Sequence, residues 1–285
     1  MKEQESAAVF LLRLKENIIR RIVMGNSWKE EKEQLIRIID THSHILPEVD
    51  DGAQNIEETR RMLQIAYDEG IRYIIATPHH HPRRGSQPPR ALRRQLKLVR
   101  EEAEKISEKL RVYLGTEIYF GQDVMDKLKE KKVLPMNGTR YVLVEFAPGD
   151  SADYINQSLQ RIQMKGYIVI LAHIERYKCL RESMSDTRHL ANMGVKIQVN
   201  AGSITGASGW RVKQYIKQLM KEDLVFCVGT DAHNAQKRPP QIKKAAEYVK
   251  KKYGEEYMRR IFFSNAVVML KKKKKNESRQ TNTGI

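Results

Sequence analysis

Two cysteines in 285 residues, Cys179 and Cys227, are too few for a disulfide framework, and a chain of this length can bury a core without one. A reducing, cytoplasmic setting is expected. Long apolar runs are also missing: the stretch from Ala7 to Leu12 is broken by Arg13 and Lys15, shorter than a signal-peptide core and far short of a membrane span. Neither secretion nor a spanning segment is expected. Acidic residues are outnumbered, 35 Asp and Glu against 52 Lys and Arg for a net charge of +17, which admits nucleic acid, anionic membrane and anionic substrates as partners. The excess is concentrated in residues 83–111 and in Lys271 to Lys275. No aromatic-interleaved basic patch and no recognised nucleic-acid module accompanies it. A stable nucleic-acid complex is therefore not expected, and a non-enzymatic nucleic-acid or membrane-surface binder is the remote alternative.

What the chain does have is 40% hydrophobic and 31% charged residues, the composition of a globular protein, and its length suits one α/β folding unit with tails. Residues 1–37 read as an extension in which Leu11, Leu14, Ile18 and Ile22 form the stripe of an amphipathic helix over residues 8–23. Seven β-rich runs follow, at residues 36–39, 73–76, 112–114, 141–144, 167–171, 196–199 and 225–228. Helical patterns separate them. Gly70, Gly166 and Gly194 each stand between a helix and a strand, where a left-handed cap residue is wanted, and Asn55 with Glu58 opens a helix as a capping pair. Near-continuous apolar strands such as Ile168 to Leu171 imply a parallel sheet covered on both faces. Alternation over this length predicts a barrel or a doubly wound sheet. Residues 83–90, Arg-Arg-Gly-Ser-Gln-Pro-Pro-Arg, are expected to be a loop. The polar, Lys-rich segment 271–285 is expected to be a disordered tail.

The ionisable residues fall in one place on this map. Asp40, His42 and His44 close the first strand, and His79 follows the second, Glu117 the third, Glu145 the fourth and His173 the fifth. Asp231 and His233 follow the seventh. All stand at carboxyl ends, the edge where parallel α/β folds assemble their sites. Isolated acids ending apolar strands are costly to bury unless paired or bound to metal. Imidazole and carboxylate ligands without thiolate favour Mn, Fe or Zn over copper or a structural Cys-zinc site. His189, mid-helix, reads as an ordinary polar residue.

Four motifs, Asp40-Thr-His-Ser-His-Ile-Leu-Pro-Glu-Val-Asp-Asp-Gly52, Gly115-Thr-Glu-Ile-Tyr119, His173-Ile-Glu-Arg-Tyr177 and Asp231-Ala-His-Asn234 followed by Arg238-Pro-Pro240, resemble the polymerase-and-histidinol-phosphatase (PHP) superfamily. Within it they are similar to the manganese-dependent bacterial tyrosine phosphatases encoded with capsule and exopolysaccharide genes. The resemblance covers residues 38–270 and implies a distorted seven-stranded (β/α) barrel with three metal ions. Carried onto matching positions, His42, His44, Glu117 and Asp231 would hold one ion. Glu117 would bridge to a second held by Glu145 and His173. Asp51, His79 and His233 would hold the third, with Asp50 as the alternative to Asp51. Mn is the implied metal, with Fe or Zn as alternatives. The resemblance further implies Arg176 and Arg238 as phosphate contacts, and as substrate the phosphorylated tail of a bacterial tyrosine kinase, with transient proximity to the membrane through that kinase.

Clustered metal can activate water near neutral pH and neutralise phosphoryl oxygens, and guanidinium forks match phosphate geometry. A thiol mechanism is excluded: a Cys-x5-Arg loop needs arginine at 185 or 233, which are serine and histidine. The nearer alternative activity is hydrolysis of a small phosphate monoester such as histidinol phosphate. Arg83, Arg84, Arg90, Arg93 and Arg94 flank the His79 segment, where their field would steer a multiply phosphorylated chain.

Overall fold

The computed structural model describes residues 37–271. The amphipathic helix expected at residues 8–23 and nearly all of the Lys-rich tail lie outside them. Among the described residues the chain forms ten strands: β1 Ile38–Ser43, β2 Ile71–Ala76, β3 His79–His81, β4 Gly85–Ser86, β5 Arg111–Leu114, β6 Glu117–Tyr119, β7 Tyr141–Glu145, β8 Ile168–Leu171, β9 Lys196–Asn200 and β10 Val225–Gly229. They make a sheet ordered β1-β2-β5 and another ordered β10-β9-β8-β7-β6-β3-β4. Every pairing is parallel except β3 with β4, as alternation of strand and helix requires.

The two sheets meet on both sides. Gly115 N donates to Ala76 O at 2.8 Å and Glu117 N to Pro78 O at 3.1 Å, continuing the β2–β5 ladder into β3–β6. On the other side His44 N donates to Ala232 O and Asp231 N to His42 O, each at 2.8 Å. Thr41 Oγ1 donates to Val228 O at 3.0 Å. The result is a barrel-like wall with helices outside.

All seven expected strands are present, and the described residues add three short ones, β3, β4 and β6. Two of the predicted strands continue past a break, at Thr77-Pro78 and at Gly115-Thr116, into β3 and β6. A proline cannot donate to a ladder, and both runs beyond the breaks are too short and polar to read as strands. The loop expected at residues 83–90 is corrected: Gly85 and Ser86 pair antiparallel with β3, and helix Pro89–Ile106 begins inside the segment. Proline at a first helical position loses no hydrogen bond, so the Pro-Pro pair starts a helix instead of preventing one.

The expected caps are present. Asn55 Oδ1 accepts from Glu58 N at 2.9 Å, and Glu58 Oε2 accepts from Gln54 N at 2.9 Å. Gly70, Gly166 and Gly194 have φ of 87°, 82° and 89°, a region costly for other L-residues. Inside the wall, Ile39, Ile75, Leu143, Ile170 and Cys227 pack with Met136, Ala266 and Met269 as an apolar floor.

Candidate metal centre

The strands deliver ionisable groups above that floor by simple alternation, because residues i and i+2 share a face. Leu143 belongs to the floor and Glu145 follows it on β7. On β10, Cys227 is followed by Gly229 and then by Asp231 just past the strand end. Glycine at 229 is required by crowding, since a Cβ there would lie 2.5 Å from His42 Cβ. His173 and Asp231 have φ of 31° and 55°, the left-handed region that L-residues avoid and that collects at functional sites.

Glu117 stands at the centre. Its Oε2 lies 3.1 Å from His42 Nε2, 3.3 Å from His44 Nε2 and 2.9 Å from His79 Nδ1. Its Oε1 lies 2.9 Å from His173 Nε2. Asp231 Oδ1 is 3.6 Å from His42 Nε2 and 3.5 Å from His44 Nε2. Glu145 Oε1 is 3.3 Å from His79 Nδ1, and its Oε2 is 3.7 Å from His173 Nε2. Asp51 Oδ1 is 3.3 Å from His79 Nε2 and 3.5 Å from His233 Nε2. All nine metal-ligand candidates from the sequence are thus brought together.

Three groups converge closely enough to hold a cation: His42, His44 and Glu117; His79, Glu117 and Glu145; and His44, Asp51, His79 and His233. Glu117 is common to the first two. His79 and His44 each belong to two groups, sharing not anticipated in the sequence.

Between the adjacent aspartates the geometry separates two roles. Asp51 faces His79 and His233, whereas Asp50 Oδ2 lies behind the cluster, 2.7 Å from His44 Nδ1, and accepts from His79 N at 2.9 Å. A carboxylate on the far nitrogen of an imidazole orients the near one.

Arg176 and Arg238 both reach Asp231 Oδ2, Arg238 at 2.7 Å, and their side chains stay 35% and 41% exposed. Both side chains are thus only partly buried beside the cluster.

The electrostatics favour added positive charge. Burial by itself would raise the carboxyls, yet Glu117 is held well below the usual range by His42, His173 and His44. Asp231 is held there by His42, His44 and Arg176. Asp51 is also held low, by His233 and His79. Burial lowers His79, but Asp51, Glu117 and Glu145 outweigh it and lift the imidazole to about 10. A cavity that so favours protonated imidazole is one in which a cation would replace protons. The geometry agrees: His79 Nδ1 and Nε2, Glu117 Oε2 and Glu145 Oε1 are buried without a hydrogen-bond partner. Buried nitrogens and oxygens that converge without hydrogen bonds fit a metal.

Sequence reasoning missed the amides at the end of β9. Gln198 Oε1 accepts from His173 N at 2.7 Å, and Asn200 Nδ2 donates to Asp231 Oδ2 at 3.0 Å. Their signal was position alone: β9 is the one predicted strand whose carboxyl end was assigned no chemistry. Thr230, whose N and Oγ1 bond the Asp40 carboxylate at 2.8 Å and 2.6 Å, was missed because a lone threonine beside Asp231 carries no motif.

Comparison with known proteins agrees with this construction. The family described as "Capsular polysaccharide synthesis, CpsB/CapC" matches residues 38–271. Tyrosine-protein phosphatase CpsB of Streptococcus pneumoniae is 34% identical over 222 residues, 76% of this chain and 91% of that protein. Tyrosine-protein phosphatase YwqE of Bacillus subtilis is 35% identical over 219 residues, covering 77% and 86%. A crystal structure from the work on YwqE and CpsB, described there as unique metal-dependent tyrosine phosphatases, superposes with a TM-score of 0.76 at 34% identity, covering 82% of this chain and 94% of that one. Histidinol phosphate phosphatase of Lactococcus lactis shares the fold alone, at 14% identity and a TM-score of 0.54.

Proposed function

The chain belongs to the CpsB/CapC family of capsular polysaccharide synthesis, and from that membership we propose that it is a metal-dependent tyrosine-protein phosphatase. The observation that carries the reading is the convergence of five imidazoles and four carboxylates on one barrel edge with two guanidiniums at its rim. His42, His44, Glu117 and Asp231 would hold one ion. Glu117, Glu145 and His173 would hold a second, and Asp51, His79 and His233 a third. A donor set of nitrogen and oxygen without sulfur suits manganese, iron or zinc, and manganese is preferred because the motifs resemble those of manganese-dependent phosphatases.

When bound, such ions supply Lewis acidity toward phosphoryl oxygens and activate water near neutral pH. The protein's residues do the rest. Asp50 and Gln198 orient His44 and the His173 backbone. The exposed parts of Arg176 and Arg238 bind the equatorial phosphate oxygens in fork geometry and stabilise charge developing during transfer. Neither cysteine takes part: Cys227 is buried in the floor, and burial pushes its thiol up to about 12.

The substrate is a phosphotyrosine segment of a bacterial tyrosine kinase that acts in polysaccharide export, so the enzyme works at the cytoplasmic face near that kinase. Among the described residues no helix is long and apolar enough to cross a membrane. The small-monoester alternative rests on a likeness of fold alone. The deciding experiment compares turnover of phosphotyrosine peptides and histidinol phosphate with Mn present and after complete chelation. Hydrolysis of the peptides only with metal is expected; full activity without metal, or preference for histidinol phosphate, would overturn the reading.

A further inference from the structure

The outermost inward-facing side chains of β3 and β6 take no part in the reading above. His79 and Glu117 are Cα partners in these parallel strands, and both face the metal cluster. Two residues on, His81 and Tyr119 share those faces, roughly 7 Å nearer the mouth of the barrel. Their rings meet edge to face, 4.3 Å between centroids at 64°. Tyr119 is also the Cα partner of Glu145, so the pair stands one pleat repeat above His79 and Glu117 and level with Glu145. Both side chains are only half-buried.

The arm that carries His81 is held in place. His81 Nδ1 accepts from Arg83 N at 2.9 Å. Gly85, at φ 130°, packs so tightly that a Cβ would lie 2.8 Å from Val49 O and 2.9 Å from Asp50 Cα. The arm is thereby docked on the loop that bears Asp51, and Arg84 places Nη1 3.7 Å from Glu145 Oε2. An aromatic wall with a cation beside it therefore borders the cluster at a fixed height.

We propose that His81 and Tyr119 form the aryl-recognition wall of the site, selecting aromatic phosphate esters over alkyl ones. The proposal rests on the phosphatase reading. A phosphoryl group at the cluster puts its ester oxygen, and then the ring of an aryl ester, at the height of the pair. A short alkyl ester places no flat surface there. An aromatic contact of this kind is worth roughly 2- to 13-fold in affinity.

The test is calorimetric binding of two inert probes, phenylphosphonate and methylphosphonate, to the Mn-loaded protein. The unaltered protein is expected to bind the phenyl compound about tenfold tighter. Tyr119→Ala should erase most of that ratio, and Tyr119→Phe, which keeps the ring, should retain it. His81→Ala makes the same test from the other strand if Tyr119→Ala does not fold. No preference in the unaltered protein, or equal weakening of both probes in Tyr119→Ala, would overturn the proposal. Failure of the phosphatase reading is seen separately, as absence of metal-dependent phosphotyrosine hydrolysis by the unaltered protein.

Discussion

Cys227 and Asp231 lie four residues apart near the end of one strand, both buried, yet burial has opposite outcomes for them. In the floor, Cys227 is surrounded by Ile39, Ile75, Leu143 and Ile170, and desolvation lifts its thiol out of the ionising range. At the mouth, burial opposes Asp231 as well, but His42, His44 and Arg176 reverse it and the carboxylate stays charged. Depth does not distinguish the two regions. What differs is whether neighbouring strands supply charge, and they do so only where their carboxyl ends meet. The floor sets the height and spacing of the strands; the mouth uses that spacing to set imidazoles and guanidiniums against carboxylates.

Four changes would break or sharpen this contrast. Glu117→Ala removes the group common to two of the ligand clusters. It should lower metal content and cut kcat on the order of 1000-fold or more, since a site of this kind supplies several kcal/mol; metal analysis beside kinetics would expose an error if either stayed normal. Leu143→Ala strikes the floor instead and should cost about 2–5 kcal/mol of stability, read as a lower Tm, while metal bound per folded molecule is unchanged. A loss of metal at full stability would mean the floor and mouth are not separable. Arg176→Ala or Arg238→Ala should leave metal bound and lower kcat roughly 30- to 1000-fold, about 2–4 kcal/mol. Depletion of metal in these variants would show that the guanidiniums serve chiefly to hold Asp231. The smallest effect is expected from Asp50→Asn, which leaves the facing ligands in place but weakens the orientation of His44; metal affinity should fall about 10- to 100-fold in a titration, and an unchanged affinity would remove Asp50 from the site's support.

Most of the groups facing the cluster were legible in the sequence because they follow apolar runs, where an ionisable side chain is out of place unless it has a partner; Asp51 was implied only by the motif resemblance. The supports of these groups were not legible. Gln198 and Asn200 carry no charge and no motif, and only the turn of His173 toward Gln198 Oε1 reveals their role. The choice between Asp50 and Asp51 was open because neighbours in sequence face different ways only after the 44–52 loop closes, with Ala53 N donating to His44 O at 3.0 Å. The strands β3 and β6 escaped for a related reason: three residues have too little periodicity to declare a strand, and it is pairing across the wall that makes them one.

By itself, the sequence determined the α/β alternation, the caps at Asn55, Gly70, Gly166 and Gly194, and the placement of histidines and acids at strand ends. Those features depend on local backbone preference and on the 2.0 and 3.6 periods, which are properties of neighbouring residues. Tertiary structure alone decided which ligand candidates lie close together, that Asp51 rather than Asp50 faces His79 and His233, and that His81 meets Tyr119 across two strands. Those outcomes depend on distances of a few ångströms between segments far apart in the chain, and such distances exist only once the parallel wall has set their register.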